Sequence, residues 1–161
     1  MSMTPASIEV LPGTTLEQER VVPGTAMTSA ASGAEVSLSD FRQRLGVAVC
    51  FLHDRCETCA RFAQELAKLA DDLRHADATA LVVLTDPANL DLPVLVDTDA
   101  RARRRFLGPS PELPLVLIVD KFGAASRSFP SRDHAFPAPQ EVVATLWHLA
   151  MECPECGVST W

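Results

Sequence analysis

Two cysteines three residues apart, in the run Arg55-Cys56-Glu57-Thr58-Cys59, are the residues of this sequence best suited to chemistry. If a helix begins at Cys56, the backbone N–H groups of its first turn point at the sulfur and stabilise a thiolate. The thiolate is the form that attacks disulfides. Cys59 then stands about one turn further on, on the same face. From there it can attack a mixed disulfide held on Cys56 and complete a thiol–disulfide exchange. The same spacing also supplies two of the four ligands of a zinc site. A strand that runs into a helix at the first cysteine is the setting of a redox dithiol, and the redox reading is preferred on that ground. Three neighbours bear on the sulfur. Arg55 would favour its charge, although an exposed turn residue explains Arg55 as well. Glu57 opposes ionisation. His53 is either a turn residue or a proton relay.

The elements that must hold this pair can be read on either side of it. Val47 to Leu52 is a short, continuous, partly β-branched apolar run, which fits a buried central strand. After the dithiol, Phe62, Leu66, Leu69 and Leu73 recur at three- and four-residue steps, with Ala63, Ala67 and Ala70 beside them. This pattern predicts one helix from about Cys56 to His75. Thr79 to Leu84 and Leu115 to Val119 are further strands, and Val94 to Val96 is a short one. Ala100 to Leu107 is a helix that stops at Gly108-Pro109, and its basic run Arg101 to Arg105 is read as a solvated face. Asp120-Lys121-Phe122-Gly123 is a hairpin turn, from which Ala124 to Phe129 returns. Pro139 suits the first turn of a last helix, with Val142, Val143, Leu146, Leu149 and Ala150 inward. Ser37 caps a short helix through Leu45. The order predicts an α/β fold with a central mixed sheet and helices on both faces. Residues 1–33 form an N-terminal arm with a short strand or two. Residues 34–152 form the domain, and 153–161 a tail.

Composition narrows the classes. The 161 residues suffice for a core without staples. A formal charge of -7 speaks against nucleic acid, and no apolar run is long enough to cross a bilayer. No signal-peptide pattern stands at the N-terminus, which predicts a cytoplasmic protein, although a trimmed sequence would look the same. Five cysteines cannot all pair within one chain. Cys50 lies in the apolar strand and is expected to be buried packing. Cys153-Pro154-Glu155-Cys156-Gly157 is a second C-x-x-C run, of a form common in zinc knuckles. A local disulfide, half of a metal site shared between chains, reduced thiols and a second redox pair all stay open for it. No metal is expected in the isolated monomer. If one binds, Cys153 and Cys156 are its ligands. The two C-x-x-C pairs are not expected to meet within one chain.

Val49-Cys50-Phe51-Leu52-His53-Asp54-Arg55-Cys56-Glu57-Thr58-Cys59 resembles the active-site strand and helix start of thioredoxins. Gly33 to Phe41, Val94 to Asp99 and Leu113 to Gly123 are similar to segments of the peroxiredoxin and cytochrome-maturation branch of that superfamily (alkyl hydroperoxide reductase–thiol-specific antioxidant proteins). The resemblance implies a thioredoxin fold from about Gly33 to the last helix. It makes Cys56 the nucleophile and Cys59 the resolving cysteine, and Pro114 a cis-proline beside them. Leu113 and Pro114 then bind the substrate chain through backbone. It implies a thiol–disulfide oxidoreductase with a redox-active disulfide and no other cofactor. Its partners are protein disulfides or thiols and an unidentified reductant, and a homodimer is allowed. Two departures stand out. Glu57-Thr58 replaces the Gly-Pro of thioredoxin, and Cys50 stands where thioredoxin keeps a buried acid. Peroxiredoxins place Pro and Thr or Ser seven and three residues before the attacking cysteine. Here those positions are Val49 and His53 counted from Cys56, or Leu52 and Cys56 counted from Cys59, so peroxidase activity ranks second. A non-catalytic redox-sensing or metal-binding module is the remaining alternative.

Overall fold

A computed structural model describes residues 26–108 and 113–151. Among these, the strands β1 (Ala26–Ser29), β2 (Glu35–Ser37), β3 (Gly46–Phe51), β4 (Ala78–Leu84), β5 (Val94–Val96), β6 (Leu115–Val119) and β7 (Ala125–Pro130) form one sheet in the order β2-β1-β5-β4-β3-β6-β7. β3 pairs parallel to β4, and β4 parallel to β5. β6 runs antiparallel to β3, and β7 antiparallel to β6. β1, inside the stretch read as an arm, is hydrogen-bonded into this sheet beside β5.

Among the described residues, four α-helices cover the sheet: α1 (Glu57–Ala67), α2 (Ala70–His75), α3 (Arg101–Leu107) and α4 (Pro139–Ala150). The period-two alternation of a strand divides β3 between two cores. Ala48 and Cys50, with Leu52 just beyond, face Phe62, Leu66, Leu73, Val142 and Leu146 of α1, α2 and α4. Val47, Val49 and Phe51 face Ala102, Phe106 and Leu107 of α3. Every residue of β3 is buried, as its unbroken apolar run requires. β3 is the rigid rail that delivers the segment after Phe51 to the edge of both cores.

Three expectations need correction. The single helix after Cys56 is two, because the Leu69 amide bonds to the Leu66 carbonyl at 3.0 Å and tightens the last turn. Leu69 then leaves helical geometry (φ −98°, ψ 21°) before α2 starts and buries Leu73. The helix capped by Ser37 is only a 3-10 turn, Leu38–Phe41, closed by Arg42 in extended geometry and by Gln43 in the left-handed region (φ 66°). The run Arg101 to Arg105 is not wholly solvated. Arg103 shares the inward stripe of α3 with Phe106 and Leu107 and is buried. It sits with its Nε 3.9 Å from buried Asp97, whose carboxylate also accepts the Ala102 and Arg103 amides at 2.7 and 2.9 Å. The turn before β7 closes as read. Asp120 Oδ1 accepts the Phe122 and Ala124 amides, and Gly123 takes φ +85°, where an added Cβ would also strike the Arg42 side chain.

Candidate active site

β3 ends against β4, and the chain turns sharply before α1. Two side chains fix that turn. Asp54 accepts hydrogen bonds from the Thr85 and Asp86 amides, each at 3.0 Å, and from the Thr85 hydroxyl, which ties the loop after β3 to the loop after β4. Arg55 takes a left-handed backbone (φ 53°) and reverses the chain. Burial would raise the Asp54 carboxyl. The hydrogen bonds from Thr85 and Asp86, with the Arg103 charge behind them, outweigh burial and hold it below its usual value.

Cys56 is the N-cap of α1, with Sγ accepting the Cys59 amide at 3.3 Å. The sulfur therefore receives a backbone donor that the helix start would otherwise leave orphaned. Cys56 is half-buried, and Cys59, in the first turn, is buried. The Cys59 thiol is pushed up to about 12, by burial first and then by the hydrogen bond and charge of the Cys56 side chain, against a lowering contribution from the His53 backbone. The pair thus divides into an accessible sulfur held by an amide and a buried one kept protonated. A cleft of about 760 Å³ opens beside them between the two tied loops, with Asp86, Pro87 and Leu90 on its far wall.

A residue that the sequence did not single out completes the site. His134 ends the 3-10 turn Arg132–His134 after β7, and its Nε2 stands 3.3 Å from His53 Nδ1. Both Asp133 (φ 55°) and His134 (φ 59°) are left-handed, a region uncommon for non-glycine residues. The turn is anchored on both sides. The His134 amide bonds to the Ser131 carbonyl at 2.9 Å, and the Ser131 amide to the Pro114 carbonyl at 3.0 Å. Beyond it, Phe136 stacks on Phe62 of α1 with ring centroids 4.4 Å apart and planes 9° from parallel. His53 has its basicity lowered by burial first, then by the charges of His134 and Arg103, against a raising effect of Asp54. The ligand atoms of His53, Cys56, Cys59 and His134 all lie within 4.8 Å of one another.

The other residues singled out in the sequence fall as follows. Arg55 extends from the turn to Asp86 at 2.9 Å and is highly exposed, which agrees with a turn charge. Glu57 faces solvent in the first turn of α1 and lies 3.7 Å from Arg61. The Leu113–Pro114 peptide is cis. It immediately precedes Leu115, whose partner in β3 is Phe51, so the proline stands at the dithiol end of the sheet. Cys50 is fully buried in the α1 core, and burial pushes its thiol up to about 12. Cys153 and Cys156 lie outside the described residues, as does the separation expected between the two C-x-x-C pairs.

The AhpC/TSA family pattern matches residues 19–145. The chain belongs to the AhpC/TSA family. Among solved structures it is similar to a secreted thiol-disulfide isomerase from Corynebacterium glutamicum, at 20% identity and TM-score 0.67 over 81% of this chain and 86% of that one. It is similar to the mitochondrial 2-cys peroxiredoxin from Plasmodium falciparum, at 15% and 0.68 over 80% and 91%. Peroxiredoxin Q from Xanthomonas campestris matches at 15% and 0.65 over 91% and 99%. At these identities the likeness establishes the thioredoxin fold. A search of curated protein sequences finds no match. Membership of the AhpC/TSA family, in the peroxiredoxin branch of the thioredoxin-like superfamily, supports thiol-based redox chemistry for this chain.

Proposed function

We propose that this AhpC/TSA protein is a thiol–disulfide oxidoreductase that exchanges disulfides with protein partners through Cys56 and Cys59. The observation that carries the reading is the asymmetry of the pair. Cys56 Sγ caps α1 and accepts the Cys59 amide, while Cys59 is buried with its thiol pushed up to about 12. In the reducing direction the Cys56 thiolate attacks one sulfur of a partner disulfide, and the other sulfur leaves as a thiolate that takes up a proton. Burial is the main cause that keeps Cys59 protonated, and the hydrogen bond and then the charge of Cys56 add to it. The charge vanishes, and the thiolate acceptor with it, once Cys56 is in a mixed disulfide. Cys59 then gives up its proton more readily and attacks Cys56 Sγ. The second partner sulfur is released as a thiol, and the Cys56–Cys59 disulfide carries the two electrons' worth of oxidation. An external reductant returns the dithiol. Leu113 and Pro114, at the same end of the sheet, offer backbone to the partner chain.

Insulin reduction in the presence of a small dithiol tests the reading. Turnover that depends on both Cys56 and Cys59 is expected, and absence of turnover in the folded, reduced protein overturns it. Family membership favours peroxide reduction as the second reading. Peroxide consumption dependent on Cys56, without insulin reduction, would establish that reading instead.

A further inference from the structure

We propose that, in the reduced protein, His53, Cys56, Cys59 and His134 form a four-ligand site for a divalent zinc ion. The reading of the sequence preferred redox chemistry for this dithiol because a strand runs into a helix there, and placed any metal at Cys153 and Cys156; it weighed His53 as a turn residue or proton relay and did not single out His134. The fold supplies that pair from two places. One histidine stands two residues past the end of the central strand and the other arrives from the turn after β7.

The donor set and its dimensions both fit zinc. Two sulfurs and two imidazole nitrogens are a common structural zinc set, bound tetrahedrally with Zn–S of about 2.3 Å and Zn–N of about 2.0–2.1 Å. Those bond lengths put ligand atoms roughly 3.4–3.8 Å apart along the edges of the tetrahedron. The His53 and His134 nitrogens are 3.3 Å apart, already at such an edge. All four ligand atoms lie within 4.8 Å of one another, so closure asks for shifts of about an ångström at the longest edge. The two ring nitrogens face each other with room for a single proton between them, and a cation can take its place. Two thiolates and two neutral imidazoles balance a dication, and loading releases the two thiol protons.

The site is also held in place. His134 is presented by two successive left-handed residues, its amide is bonded to Ser131, and Phe136 lies against both Phe62 and the His134 ring. Phe62 belongs to the helix that carries both cysteines, so the stacked pair couples the histidine turn to the dithiol helix.

Given the oxidoreductase reading proposed above, on which this part rests, metal and disulfide exclude each other. A partner disulfide that oxidises Cys56 and Cys59 is reduced to two thiols with two protons from solvent, and both sulfur ligands are lost to the Cys56–Cys59 bond. The zinc ion is then released. The loaded form is a capped, reduced dithiol.

The test uses the full chain carrying Cys153→Ser and Cys156→Ser, so that the tail cannot bind. Reduced, metal-free protein is titrated with cobalt(II) and then with zinc against a chromophoric chelator. One equivalent is expected, with visible bands of tetrahedral cobalt and a thiolate-to-metal charge-transfer band. His53→Ala, His134→Ala and His134→Gln, each checked by circular dichroism, should weaken zinc at least tenfold. Zinc should slow alkylation of both Cys56 and Cys59 in the otherwise unmutated site, a readout that needs no histidine variant. Oxidation of the dithiol by a small disulfide should release the equivalent. Failure to bind one equivalent, retention of full affinity by the folded histidine variants, or metal kept by the oxidised protein would each overturn the proposal. Insulin reduction by chelator-treated protein is scored separately, so loss of the metal site and loss of the oxidoreductase reading are told apart.

Discussion

Replacing Cys56 by serine should make Cys59 more reactive, a counter-intuitive result for the loss of its redox partner. In the intact pair the Cys59 thiol is pushed from 9.0 up to about 12, by burial first and then by the hydrogen bond and charge of Cys56. At neutral pH that leaves about a thousandfold less thiolate than an unperturbed thiol holds. The more basic thiolate is a better nucleophile, and a Brønsted slope of about 0.4–0.5 recovers roughly 16- to 30-fold of the loss. Cys59 in the metal-free protein should therefore be alkylated about thirty- to sixtyfold more slowly than an unperturbed cysteine, before any further slowing by its poor accessibility. Its rate should climb about tenfold per pH unit from neutrality, because the deprotonated fraction is what limits it. In Cys56→Ser the Cys56 charge is gone and a neutral hydroxyl replaces the thiolate as hydrogen-bond partner, while burial stays, so the rate at fixed pH should rise several-fold but remain below that of a peptide cysteine. The assay is a short pulse of iodoacetamide in the presence of chelator, followed by mass mapping of the labelled peptides. Cys59 labelling as fast as a peptide cysteine in the intact protein, or a Cys59 rate that falls when Cys56 is removed, would refute the division of labour drawn for the pair.

Cys59→Ser should trap a mixed disulfide between Cys56 and a partner protein, visible on non-reducing gels, and Cys56→Ser should trap none. Cys50→Ser places a hydroxyl in a fully buried apolar site and should cost about 1–3 kcal/mol in urea unfolding, with exchange rate nearly unchanged; a large loss of rate at unchanged stability would give Cys50 a role in the chemistry. Asp54 has a folded-state value below its unfolded one, so its contribution to stability is complete above about pH 3.9 and is lost as pH falls through the lower folded value. Asp54→Asn should flatten that acid limb, and an unchanged slope of stability between pH 5 and 2 (on the order of the range in which such carboxylates titrate) would contradict it.

Much of the scaffold was legible because single strong signals agree with tertiary packing. β3 reads as a buried strand since all its residues are apolar or small, and both faces are in fact covered. Pro139 marks the first turn of α4, which starts there. The apolar period after the dithiol, with Glu57 placed for a first turn, predicts a helix from about Cys56, and the helix starts at Glu57 with Cys56 as its cap. The break at Lys68–Leu69 carries no Gly or Pro, and the apolar period runs through it undisturbed, so only the packed chain reveals it. Arg103 was hidden by its neighbours. Four arginines in five residues look like a solvated face, yet Arg103 lies three and four residues from Phe106 and Leu107 and had to share their stripe. His134 was out of reach for a different reason. It lies 81 residues from His53, and only the return of β7 to the dithiol end of the sheet brings the two rings together.

Among the described residues, the two margins of the sheet bear on how copies of this chain would meet. β2, on one margin, offers a strand of only three residues. β7, on the other, is longer, but it carries exposed Arg127, which is 3.5 Å from Glu141 and lies over the Phe129 ring, and it finishes in Pro130, which has no amide proton to give. Short length, charge and proline are the devices by which strands resist being used as templates. Both margins are thus poor starting points for ribbon-like growth of sheet on sheet. Under the oxidoreductase function proposed above, that matters: partner chains unfolded by reduction could come close to the dithiol with little chance of being stitched onto the sheet itself.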